Sequence, residues 1–91
     1  MQYKMTNEFK NEWKKWEEPI TTLEELQETL DMVEDAITLW VVKDISTDGI
    51  LTYDEQKFES LPLNTSIDLM GVKFETPNNE FTSATAIIKV L

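Results

Sequence analysis

Met5, Phe9, Trp13 and Trp16 recur at i, i+4, i+8 and i+11, which places all four within about 80° on a wheel of 100° per residue. The spacing predicts a first helix over about residues 5–18, with Thr6 or Asn7 as its cap and Pro19 just past its end. Lys14 and Glu18 then stand one turn apart and can pair. A second helix is predicted over about residues 22–37. Thr21 with Glu24, or Thr22 with Glu25, forms a capping box at its start. Leu23, Leu26, Leu30, Val33 and Ile37 follow at alternating gaps of three and four, again within about 80°.

After Ile37 the period changes. Thr38-Leu39-Trp40-Val41-Val42 is β-branched and aromatic without a helical gap, and reads as a buried strand, about 38–45. Ser46-Thr47-Asp48-Gly49 is a turn, and strand character resumes over about 50–59. Pro62 interrupts the next stretch. A third strand is predicted over about 66–75, where the apolar side switches from Ile67 and Leu69 to Met70, Val72 and Phe74, a change that calls for a bulge at Gly71. Thr76-Pro77-Asn78-Asn79 reads as a turn, and a final strand spans about 80–90. Two helices followed by an antiparallel meander of about four strands make an α+β domain, with both helices expected on one face of the sheet.

Ninety-one residues are enough for one domain, 1–91, with a single core. The composition removes whole classes of chemistry. With no His and no Cys, there is no imidazole base, no thiolate nucleophile, no zinc site of the N/S type and no disulfide framework. Gly49 and Gly71 are the only glycines, so no Gly-rich phosphate loop exists. An enzyme is not expected, nor a cofactor. No apolar run approaches the ~20 residues that span a bilayer, and MQYKMTNEFK lacks the apolar stretch of a signal peptide. The expectation is a soluble, cytoplasmic protein.

Residues 44–55 resemble the twelve-residue calcium loop of the EF-hand family. Oxygen side chains stand at loop positions 1, 3, 5 and 9, Gly at 6, an aliphatic residue at 8 and Glu at 12. The resemblance implies Asp44, Ser46, Asp48 and a bidentate Glu55 as ligands, with Ile50 giving its carbonyl. The flanks point elsewhere. An EF-hand loop lies between two amphipathic helices, whereas Leu39 to Val42 is strand-like and Pro62 blocks an exiting helix. The same residues make an ordinary hairpin loop, which is the preferred reading.

Charge sharpens the picture. The net charge is −10, from 18 acidic residues against 8 lysines. Between Lys15 and Lys43 there is no basic residue, and that interval holds Glu17, Glu18, Glu24, Glu25, Glu28, Asp31, Glu34 and Asp35. On a helix over 22–37, Glu24, Glu28, Asp31 and Asp35 fall within about 40° of one another, opposite the leucine seam. Like charges one turn apart destabilise a helix by ~0.2–0.5 kcal/mol per pair. A solvated face and a binding face are both compatible with that pattern. A surface this acidic repels nucleic acid and anionic lipid and attracts basic partners.

In size, lack of Cys and His, α+β pattern and the stripe Glu24, Glu28, Asp31, Asp35, the chain resembles a class of small acidic proteins. Phages and mobile elements make these to block host nucleic-acid enzymes: anti-restriction proteins, uracil-DNA glycosylase inhibitors and many anti-CRISPR proteins. The resemblance implies inhibition of a basic, nucleic-acid-binding protein such as a nuclease or a CRISPR or restriction effector. The eight carboxylates would serve as the binding face, in the host cytoplasm for a phage-encoded protein. An immunity-type inhibitor of a toxin nuclease is a close variant. The rivals are a calcium-responsive module on the 44–55 loop and a structural protein that extends its sheet through the C-terminal strand.

Overall fold

The computed structural model describes residues 1–76 and 80–91. Its elements run β1 (Gln2–Lys4), α1 (Asn7–Glu12), α2 (Leu23–Leu30), β2 (Ala36–Ile45), β3 (Ile50–Gln56), a short 3-10 turn (Phe58–Ser60), β4 (Ile67–Glu75) and β5 (Ser83–Val90). The class is α+β, as expected, but the sheet differs from the predicted meander. Among the described residues it has five strands in the order β1-β3-β2-β5-β4. β2 and β5 are parallel, and every other neighbour pair is antiparallel. The turn expected at 76–79 lies, from Pro77 to Asn79, outside the described residues.

The first helix is six residues long, not fourteen. It ends at Glu12, and Trp13 is already extended, with φ −110° and ψ 127°. The cause is the edge of β4. Lys14 N–H donates to Val72 O at 2.9 Å and Val72 N–H donates to Lys14 O at 2.8 Å. Further along the same edge Ile67 N–H donates to Thr21 O at 2.8 Å, and Thr22 bridges Ser66. The chain from Trp13 to Thr22 thus runs antiparallel to β4 and covers part of an otherwise open edge. A single helical turn more would leave those backbone groups unpaired. The Lys14–Glu18 helical pair consequently does not arise.

The second helix stops at Leu30, not at Ile37. Thr22 is its cap, accepting from Glu25 N–H at 3.1 Å, so the Thr22/Glu25 box is the one that forms. Its return bond goes one residue back: the Glu25 carboxylate accepts from Thr21 N–H. No basic residue lies in the last turn, where the macrodipole favours cations and disfavours Asp31, Glu34 and Asp35. Ala36 to Val42 are claimed instead by seven parallel pairings with β5, from Ala36↔Ser83 to Val42↔Lys89.

Strand alternation then sends the two helices to opposite faces of the sheet, contrary to the expectation of one covered face. Leu23, Leu26 and Leu30 pack with Leu39, Ala84, Ala86 and Ile88, while Ile37, Val41 and Val33 join from partly buried positions. Phe9 and Trp13 pack with Val42, Ile87, Leu51 and Tyr53 on the other side. The β4 bulge falls one residue before the predicted Gly71, with the register shifting between Leu69 and Gly71. Met70 is the extra residue and points to the α1 side, so Ile67, Leu69, Val72 and Phe74 all face α2. Gly71 allows α1 its close approach: a Cβ there would meet Trp13 Cβ at 3.2 Å and Phe9 Cζ at 3.4 Å. The short N-terminal strand β1 carried no alternating pattern long enough to predict.

Candidate functional site

The loop that resembles an EF-hand is a hairpin. Strands β2 and β3 flank it, where the calcium-binding motif requires helices. Asp44 lies within β2, opposite Thr52, whereas Glu55 lies opposite Trp40. Position 12 is thereby drawn out along a strand, roughly 10 Å beyond Thr52 at the rise of an extended chain, and cannot fold back over positions 1, 3 and 5. Ser46 Oγ accepts from Ile50 N–H at 3.0 Å, and Gly49 takes the left-handed conformation, φ 79°. Asp48 sits in the turn between them. Among the described residues no group of three or more carboxylates converges as metal ligands.

The strand-addition rival loses its surface as well. β5 lies inside the sheet, paired with β2 on one side and β4 on the other, so it has no free edge to extend.

The carboxylates of the interval between Lys15 and Lys43 are all exposed. Their arrangement differs from the predicted straight stripe. Glu24 and Glu28 lie on α2, and Asp31 is its C-cap with φ −60° and ψ −18°, which keeps it on the helical path. These three cover roughly 10 Å of axis. Asp35 leaves the helix. It donates its backbone N–H to Thr82 O at 2.8 Å, and Glu34 likewise turns to Phe81 O as the chain enters β2.

A different grouping takes the place of the fourth stripe member. Glu17, Glu18, Glu25 and Glu28 line a groove of about 620 Å³ together with Trp16, Pro19, Ile20 and Thr29. The segment that forms it is tied at both ends to β4, through Lys14–Val72 and Thr21–Ile67. The periodicity assigned Trp16 to a helical core seam. Its indole does touch the α2-side core and meets Phe74 edge-on at 6.0 Å, yet it also lines the groove. The usable signal was the order Trp-Glu-Glu-Pro-Ile, an aromatic and a proline bracketing an acidic pair.

Comparison with known protein families, curated proteins and solved structures finds no match. Geometry and electrostatics alone describe the site.

Electrostatically, the acidic face is left uncompensated. Among the described residues two ion pairs form, Lys43–Asp54 at 2.6 Å and Lys73–Glu12 at 2.7 Å, and neither involves the eight carboxylates. The titration shifts gather at those pairs. Lys73, and after it the Tyr3 hydroxyl, hold the Glu12 carboxyl below its ordinary range by hydrogen bonding to the charged form. The same contact with Glu12 raises Lys73 and, with burial, Tyr3. The Trp13 indole N–H is buried and has no hydrogen-bond partner among the described residues.

This staple joins β1, α1 and β4 and predicts a pH dependence. A lowered carboxyl contributes stability above its unfolded value and loses it as pH falls through the folded one; raised Lys73 and Tyr3 lose theirs only at alkaline pH. Urea midpoints for the wild type and Glu12→Gln should therefore differ at about pH 7 and converge towards about pH 3. A gap that does not change between those conditions would show that the staple carries no linkage.

Among the described residues no helix is long and apolar enough to cross a membrane.

Proposed function

We propose that this chain is a stoichiometric inhibitor of a basic, nucleic-acid-handling protein, of the phage anti-defence or anti-CRISPR kind, acting in the host cytoplasm. Its carboxylates take the place of phosphates in the partner's positively charged cleft, which steers association and excludes DNA or RNA. One observation carries this reading: eight exposed carboxylates lie together in the sequence without a single ion-pair partner among the described residues. Other acids of the same chain do find lysines, on β2–β3 and between α1 and β4. Self-repulsion on the acidic face is a standing cost that a cationic partner relieves.

Replacing Glu24, Glu28, Asp31 and Asp35 with Gln and Asn tests the proposal. Binding to a panel of nucleases and CRISPR or restriction effectors is measured across salt concentrations, with DNA as competitor. The quadruple variant should lose about tenfold or more in affinity at low salt and show a flatter salt dependence. Affinity and salt slope equal to those of the wild type would remove the acidic face from the mechanism.

A further inference from the structure

We propose, resting on the reading above, that the groove over Trp16, Pro19 and Ile20 is a receptor for an arginine side chain carried on an extended segment of the partner. Three features select that occupant. The charged residues of its lining are all acidic, Glu17, Glu18, Glu25 and Glu28, with no lysine among them. Lys15 lines an adjoining groove of about 290 Å³ that shares Trp16, Glu18, Pro19 and Ile20 with the first. The apolar part of the lining is Trp16, Pro19 and Ile20, and guanidinium, being planar and weakly hydrated, lies on such surfaces where an ammonium keeps its water. An arginine can also offer its fork to two carboxylate oxygens at once.

The groove is largely formed in advance. Glu25 is held in place because its Oε2 accepts from Thr21 N–H at 3.1 Å and Thr21 Oγ1 at 3.4 Å; among the described residues Oε1 has no partner and remains available. Pro19 restricts the backbone of the wall, and the flanking bonds Lys14–Val72 and Thr21–Ile67 anchor that wall to β4. A guest therefore meets carboxylates whose ordering has already been met in folding. The volume of about 620 Å³ exceeds a single side chain, which leaves room for the backbone of an extended peptide beside its arginine.

Two short peptides on the full chain provide the test: acetyl-Gly-Arg-Gly-Arg-Gly amide and its lysine counterpart. Binding is followed by calorimetry and by the Trp16 indole N–H resonance, identified with Trp16→Phe. The arginine peptide should shift that resonance and bind about fivefold or more tighter than the lysine peptide. Trp16→Phe should narrow the preference. Glu18→Gln with Glu28→Gln, which leaves the Glu25 cap untouched, should weaken binding more than Asp31→Asn with Glu34→Gln, which lie outside the groove. Equal affinity for the two peptides with an unmoved Trp16 resonance overturns the proposal, as does equal weakening by the two double variants. The function proposed above fails separately. If the arginine peptide is rejected while effectors still bind in competition with DNA, only the groove falls; if the peptide binds as expected and no nucleic-acid-handling protein is inhibited, only the inhibitory role falls.

Discussion

Phe9→Ala should destabilise the protein by about 3–5 kcal/mol, the range for removing a buried aromatic ring. A six-residue helix carrying Lys10, Asn11 and Glu12 looks like a surface element, and alone it would not be stable in water. Phe9 nevertheless is only 1% exposed. It stacks on Trp13 at 6.0 Å, meets Tyr3 edge-on at 5.2 Å, and lies against the bulge at Gly71. It holds α1 on the sheet, since Glu12 is exposed, its partners Tyr3 and Lys73 are only half-buried, and such contacts add little. Total stability for a domain of this kind is about 5–15 kcal/mol, so the variant should lose at least about a fifth of it. Urea unfolding measures the loss, and near-ultraviolet dichroism should weaken because Trp13 loses its stacked neighbour. A cost below about 1 kcal/mol would mean that α1 is not part of a core.

The second large effect is expected on the opposite face. Leu26→Ala should cost about 2–5 kcal/mol, the spread depending on how far the cavity collapses. Leu26 is fully buried between Leu23 and Leu30 on the inner side of α2, against Leu39 and the β5 residues Ala84, Ala86 and Ile88. Two of those neighbours are alanines, which have no side chain to swing into the space, and this favours the upper half of the range. The spectroscopic signature should differ from that of Phe9→Ala. Trp13, Trp40 and Tyr53 belong to the other cluster and Trp16 is the one tryptophan that packs against this one, so the near-ultraviolet spectrum of folded Leu26→Ala should change less than that of Phe9→Ala. A spectrum altered as strongly as by Phe9→Ala would contradict a sheet with two separate cores.

The apolar positions were legible from spacing even where the secondary structure was not. Leu23, Leu26, Leu30, Val33 and Ile37 do share one core, although only the first three are helical. Met5, Phe9, Trp13 and Trp16 fared differently: Phe9 and Trp13 bury on one face, Trp16 joins the other core, and Met5 is 38% exposed. The site shows the same division. Which carboxylates exist and that no lysine interrupts them follows from the sequence. That Glu17 and Glu18 meet Glu25 and Glu28 across a groove depends on where two helices end, and periodicity does not report that.

Local chemistry fixed a threonine cap at Thr21 or Thr22, the hairpin turn with Gly49 at positive φ, the bulge beside Gly71 and the concentration of charge between Lys15 and Lys43. Each depends on residues a few positions apart, so the sequence alone determines it. The helix ends, the strand β1, the parallel β2–β5 pair and the placing of α1 and α2 on opposite faces were decided only in the tertiary structure. Their cause is the need of backbone N–H and C=O groups for partners. Val72 finds its partner in Lys14, 58 positions away in sequence, and Ala36 to Val42 find theirs in Ser83 to Lys89. Those bonds outweigh the helical periodicity of the same residues, and they turn a predicted straight acidic stripe into an acidic groove.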